Sequence, residues 1–76
     1  MKDNAEYIGE EFMRGNRVYI INDWVQCALC YDPKRPLFVT LKTRDGRTKK
    51  IDPRDAFLFD VMMEGEVASE EDFMNF

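Results

Sequence analysis

Between Leu37 and Ile51 the chain alternates apolar and polar residues on both sides of Arg44-Asp45-Gly46, and this stretch constrains the fold more than any other. Period-two alternation places Leu37, Val39 and Leu41 on one face of a strand and Phe38, Thr40 and Lys42 on the other. An Asp-Gly pair between two such runs marks a hairpin, and its loop length decides the register. A two-residue Asp45-Gly46 loop sets Ile51 opposite Thr40, on the wetter face. A three-residue loop, with Gly46 left-handed and bulged, sets Ile51 opposite Val39. The second register buries Ile51 and is the one expected. It brings Lys42 and Lys50 together on the outer face and leaves Lys49 near the strand end with its stem snorkelling.

Two strands are expected ahead of the hairpin. Arg17–Ile21 is β-branched and aromatic and closes at Asn22-Asp23, a turn pair. Trp24–Tyr31 follows, with Val25, Cys27, Leu29 and Tyr31 on one face and Trp24, Gln26, Ala28 and Cys30 on the other. Asp32-Pro33-Lys34-Arg35-Pro36 reads as a loop, because two prolines remove ladder donors. After a helical turn at Asp52–Asp55, Phe57–Val61 reads as a fifth strand with Phe57, Phe59 and Val61 facing the core. Arg17–Ile21 is expected at an unprotected edge that could pair with a copy of itself, giving a monomer or weak homodimer.

Asp3–Gly15 reads as a short helix. Asp3 caps it with Glu6 three residues on, Ala5, Ile8 and Phe12 share one face, and Gly15 suits the residue just past the end. Gly9 weakens that helix by about 1 kcal/mol relative to Ala.

Seventy-six residues make one domain, and an apolar fraction of 45% suffices for a single small core. The expected division is an acidic helix over 1–15, a β unit over 16–63 and an acidic, partly disordered tail over 64–76. The net charge of −4 hides a partition. Residues 14–55 carry ten basic and five acidic side chains, whereas residues 56–76 carry six acids and no base. The isoelectric point is therefore a poor guide to which partner the surface prefers. No apolar run is long enough to cross a bilayer, and the acidic N-terminal stretch lacks the core of a signal peptide. A cytoplasmic location is the expectation.

Catalysis is not expected. The chain has no His, the acids sit mostly at turns, caps and the tail, and no Gly-rich phosphate loop occurs. Cys27-Ala28-Leu29-Cys30 has CxxC spacing, but four-ligand zinc needs two more Cys or His. Inside a strand, residues i and i+3 point to opposite faces, so the two thiols do not readily pair. They read as a small buried hydrophobe and a half-exposed thiol in a reducing compartment, and no metal or cofactor is expected.

Five short strands, a hairpin around Asp-Gly and a helical turn before the last strand form an order that resembles the SH3-like small barrels, including Tudor and KOW modules. Leu37–Phe57 carries most of the likeness, and a helix ahead of five strands is also similar to the Sm-like variant. The resemblance implies a five-stranded small barrel that binds nucleic acid or peptides rather than catalysing a reaction. A Tudor-type cage needs several aromatics at one mouth, for which Tyr19, Trp24 and Phe38 are the candidates. The KOW-type glycine pattern is missing.

Two features point to function. Lys42, Arg44, Arg47, Lys49 and Lys50, with Arg54 nearby, form a basic ridge beside Phe38 and Trp24, the combination that tracks phosphates and stacks bases. At the other end, Glu70, Glu71 and Asp72 precede Phe73, Met74 and Phe76. That ending is similar to the acidic, Phe-terminated tips of single-stranded-DNA-binding proteins, which recruit partner proteins. Phe73 and Phe76 could anchor in an apolar pocket while the acids steer toward a basic rim. Alternatively the tail folds back, with Phe73 completing the core and the acids covering Lys and Arg.

The expected function is non-enzymatic binding to a protein partner, as a small regulator or inhibitor, through Trp24, Phe38, Glu70, Glu71, Asp72, Phe73 and Phe76. The acidic ends would imitate a polyanion, and the size and split charge suit a phage protein acting on a host protein. The alternative is a nucleic-acid-binding module working through the basic hairpin 42–50.

Overall fold

Asp3 starts the first helix as expected: its carboxylate accepts a hydrogen bond from the Glu6 N–H at 2.8 Å, and α1 spans Asn4–Met13. The helix ends in a Schellman motif. Gly15 takes φ +79°, its N–H donates to the Phe12 carbonyl at 3.0 Å, and the Asn16 N–H donates to Glu11 at 2.9 Å. Ile8 is buried, and Ala5 and Phe12 pack against the same core.

The computed structural model describes residues 2–76. After α1 comes an antiparallel meander of β1 (Val18–Asn22), β2 (Cys27–Tyr31), β3 (Val39–Thr43) and β4 (Thr48–Ile51). The hairpin has the bulged register: Val39 faces Ile51, Thr40 faces Lys50, and Gly46 takes φ +88°. The Thr43 N–H closes the loop on the Arg47 carbonyl at 2.9 Å. Lys42 and Lys50 therefore share one sheet face, and Lys49 lies on the other beside Leu41.

The stretch expected as a fifth strand is instead a helix, α2 (Ala56–Glu64). Its buried residues are Leu58, Val61 and Met62, at helical spacing, while Phe57 and Phe59 are 57% and 52% exposed. Asp55 caps it, accepting from the Leu58 N–H at 3.1 Å, after a turn closed from Asp55 N–H to the Asp52 carbonyl. Alternation of Phe57, Phe59 and Val61 imitates a strand, but the cap and the 58-61-62 triplet favour the helix.

The fifth strand comes later. β5 (Glu66–Ala68) pairs antiparallel with β1, setting Tyr19 opposite Ala68 and Ile21 opposite Glu66. The sheet order is β4-β3-β2-β1-β5. The sheet is open rather than a closed barrel, because α2 occupies the stretch that would have bridged the last strand to the first. β1 is consequently interior, and the edges are β4 and β5. The segment expected as a tail thus contains β5 and a last helix, α3 (Glu70–Met74), with a Ser69/Asp72 capping box. Gly65 lets α2 meet the sheet, since a Cβ there would stand 2.5 Å from Ile20 Cγ2 and 3.0 Å from the Ile21 carbonyl. Asn4 fastens the same corner, donating to the Met62 and Gly65 carbonyls at 2.8 and 2.7 Å.

The helices divide between the two faces. Under α1 and α2 lie Val18, Ile20, Cys27, Leu29, Val39 and Leu41, packed with Ile8, Leu58, Val61 and Met62. On the opposite face Tyr19 and Ala28 pack with Phe73 of α3, joined by Ile21, Cys30, Ala68 and Phe76. Cys27 and Cys30 lie on opposite faces, and burial raises both thiol pKa values. Among the described residues no helix is long and apolar enough to cross a membrane.

Candidate functional site

Asn22 builds the turn that presents Trp24. Only 1% exposed, it donates from Nδ2 to the Val61 carbonyl of α2 at 3.1 Å. Its Oδ1 accepts from the N–H groups of Trp24 and Val25 at 2.9 and 3.3 Å. Every polar atom of this buried amide is thereby used, as a buried amide requires. Gln26 completes the turn in the left-handed region at φ +55°, unusual for a residue with a side chain. Its side chain donates back to the Asp23 carbonyl and accepts from Arg44. Arg44 also pairs with Asp23 at 3.0 Å, so the β3–β4 loop braces the β1–β2 turn.

On this braced turn Trp24 is 88% exposed. Beside it a depression of about 330 Å³ runs along the β5 edge, lined by Asp23, Trp24, Glu64, Glu66, Val67 and Asp72 together with Ile21 and Ala68. Four carboxylates and an indole line it, with no cation among the lining residues. Among the described residues no group of three or more Asp, Glu, Cys or His is placed to hold a metal ion. What the arrangement can do is hold a cationic surface, with the indole face available to a Lys or Arg side chain.

The other expected site residues are distributed unevenly. Glu70, Glu71 and Asp72 form the exposed first turn of α3, where their charge favours the helix N-terminus, and Asp72 closes the capping box. Phe73 is 8% exposed and packs on Tyr19, ring centroids 5.3 Å apart. Phe76 is half-buried beneath the Arg44 guanidinium, 4.3 Å from its ring centroid. Both phenylalanines are therefore occupied within the chain. Phe38 is half-buried, with the Lys50 ammonium 4.7 Å from its ring.

Within the basic hairpin, Lys42 donates to the carbonyls of Phe73 and Met74 at 3.0 and 2.9 Å. Arg44 is taken up by Asp23, Gln26 and Phe76, and Arg47 lies 3.3 Å from Asp45. Lys49 and Lys50 are exposed on opposite faces of β4. Glu64 and Glu66 had no place in the sequence-based site, because Glu64-Gly65-Glu66 reads as the start of a tail. The missed signal is Gly65, where the chain turns tightly back onto β1 and brings both acids beside the Trp24 turn.

No family model matches the chain, and no curated protein or solved structure matches it.

Proposed function

We propose that this chain is a non-enzymatic protein-binding module, a small regulator or inhibitor that docks on a basic surface of its partner. The observation carrying this reading is the exposed Trp24 on a turn braced by Asn22 and Arg44, beside a depression bordered by Asp23, Glu64, Glu66 and Asp72. An indole that is costly to leave in water, rimmed by like charge, has the composition of an interface hot spot. Four carboxylates gathered beside β5 carry the charge that a polyanion would offer, which supports a partner whose own site takes a polyanion. The acids of α3 extend that rim, whereas Phe73 and Phe76 serve the fold instead of the partner. The basic hairpin is the weaker candidate in this conformation, because Lys42 and Arg44 are engaged by the chain itself.

Capture from source cells tests the reading when the bait is varied. Trp24→Ala and the pair Glu64→Lys/Glu66→Lys should each weaken capture of the main partner by about tenfold or more, as truncation of a central aromatic does. Leu37→Ala, exposed in the β2–β3 loop at the opposite end of the sheet from the Trp24 turn, should leave it unchanged. A partner retained by all three variants would move the interface elsewhere. The single tryptophan adds a direct readout: its emission should shift to the blue when the partner covers it.

A further inference from the structure

The sheet face under α1 and α2 is aliphatic, but the opposite face is not. It carries Tyr19 from β1, Lys42 from β3 and Lys50 from β4, with Phe38 adjoining β3 and Arg17 adjoining β1. We propose that this face is a platform for single-stranded nucleic acid, and that the chain's own C-terminal segment, Ser69–Phe76, occupies it in the ligand's place.

The contacts of that segment are what carry the proposal, because each copies one that a strand of nucleotides would make. The Lys42 ammonium binds two carbonyl oxygens at the end of α3, at 3.0 and 2.9 Å, as it would bind phosphate oxygens. The Phe73 ring packs against Tyr19 at a tilt of 43°, with Lys42 5.5 Å from its centroid, and so fills the space over Tyr19 that a base would take. Phe76 lies under Arg44 in the same relation. Lys50 over Phe38 forms a third aromatic-and-cation pair, outside the cover. Flat rings on sheet-borne aromatics with cations alongside are the pattern by which open sheets bind single strands.

The cover is built to be displaced. α3 has five residues, and Phe73 is its one buried side chain. Its first turn also carries Glu70, Glu71 and Asp72, which repel a polyanion while the segment is seated. Nucleic acid therefore binds the open form far better than the closed one, and apparent affinity falls in proportion to the open fraction. Asp72 and Arg44 belong to both surfaces, but Trp24, Glu64 and Glu66 take no part here and Lys50 takes none there, so variants at those residues tell the two readings apart.

The test uses the full chain with Phe73→Ala/Phe76→Ala, fluorescence anisotropy with labelled oligo-dT and oligo-U at low salt, and circular dichroism to verify the fold. The double variant should bind about tenfold tighter than the unsubstituted chain, the gain expected when the competing closed form is lost. Adding Lys42→Glu/Lys50→Glu should abolish binding, and adding Lys49→Glu, on the other face, should leave most of it. Tighter binding to either oligonucleotide supports the platform, and their ratio tells DNA from RNA. A folded double variant that binds no tighter, or a Lys49→Glu loss equal to that of Lys42→Glu/Lys50→Glu, overturns it. Should the double variant unfold, Ser69→Ala/Asp72→Ala removes the capping box without touching the core. The same order of affinities with a smaller gain is then expected, and no gain overturns the proposal.

Discussion

The two faces of the sheet are made by the same strands and differ in almost everything else. One face sets Val18, Ile20, Cys27, Leu29, Val39 and Leu41 against two helices that bury Ile8, Leu58, Val61 and Met62. The other buries Tyr19 and Ala28 under one phenylalanine from a five-residue helix. Because strand side chains alternate, adjacent residues such as Ala28 and Leu29 serve different purposes. The first face carries the hydrophobic stabilisation, which scales with apolar area removed from water. The second holds the cations and aromatics, and its thin cover can open without the rest of the molecule unfolding. A small chain can thus keep a rigid half and a responsive half on a single sheet.

The largest effect should come from the first face. Leu58 is fully buried between α2 and the sheet, so Leu58→Ala should cost about 3–5 kcal/mol in urea denaturation. Total stabilities of about 0.05–0.15 kcal/mol per residue leave little after such a loss. Phe73→Ala removes a larger side chain but from the thin face, and should cost clearly less. Equal losses would mean that the two faces unfold as one unit, and the comparison would fail.

The two cysteines read the same difference kinetically. Cys27 is buried in the larger core and Cys30 is partly covered by the C-terminal segment, and burial raises both pKa values, so each thiol reacts better once uncovered. Opening of α3 should suffice for Cys30, whereas Cys27 should wait for global unfolding. Labelling of single-cysteine variants should therefore be about 100-fold faster at Cys30, equivalent to an opening that is easier by about 2.7 kcal/mol. Equal rates would remove the second face as an independent unit.

How much of this was legible depended on whether local chemistry or distant packing decided each element. The α1 cap, the Schellman glycine and the bulged hairpin were all readable, because Asp3, Gly15 and Gly46 act on their own neighbours. Opposite faces for Cys27 and Cys30 followed from strand periodicity alone. α2 was misread because Phe57 and Phe59 alternate like strand residues, and solvent rather than core takes them. β5 is three residues long, and no local pattern marks so short a strand; only pairing with β1 creates it. The SH3-like barrel failed for the same reason, since closure depends on which segment reaches the sheet edge. At the candidate site, exposed Trp24 was legible, but its carboxylate rim depends on the Gly65 corner.

Alkali should attack the first face through Tyr31, which packs at the rim of the larger core with its phenol pushed up to about 12 by burial. An unfolded tyrosine ionises near pH 10, so between pH 10 and 12 the unfolded chain loses a proton that the folded chain keeps. Stability is therefore fully present below pH 10 and falls as pH rises toward 12. One pKa unit is worth about 1.4 kcal/mol, and partial exposure brings the expected loss to about 1–2 kcal/mol. Tyr31→Phe should flatten this part of the stability-against-pH curve. An unchanged slope would assign alkaline unfolding to other groups, such as the buried Cys27 thiol.

The smallest effect is also the cleanest division between the faces, because it uses one kind of interaction twice. Asp55 caps α2 and Ser69 caps α3, each accepting a backbone N–H at 3.1 and 3.0 Å respectively. Removing either cap should weaken its helix by about 1 kcal/mol. α2 belongs to the larger core, so Asp55→Ala should lower the urea midpoint of the whole chain by that amount. α3 is a cover that opens on its own, so Ser69→Ala should lower the global midpoint by less while speeding Cys30 labelling about fivefold, the equivalent of about 1 kcal/mol. If Ser69→Ala shifts the global midpoint as far as Asp55→Ala and leaves the Cys30 rate unchanged, α3 is locked into the cooperative fold. A gated sheet face would then have no physical basis.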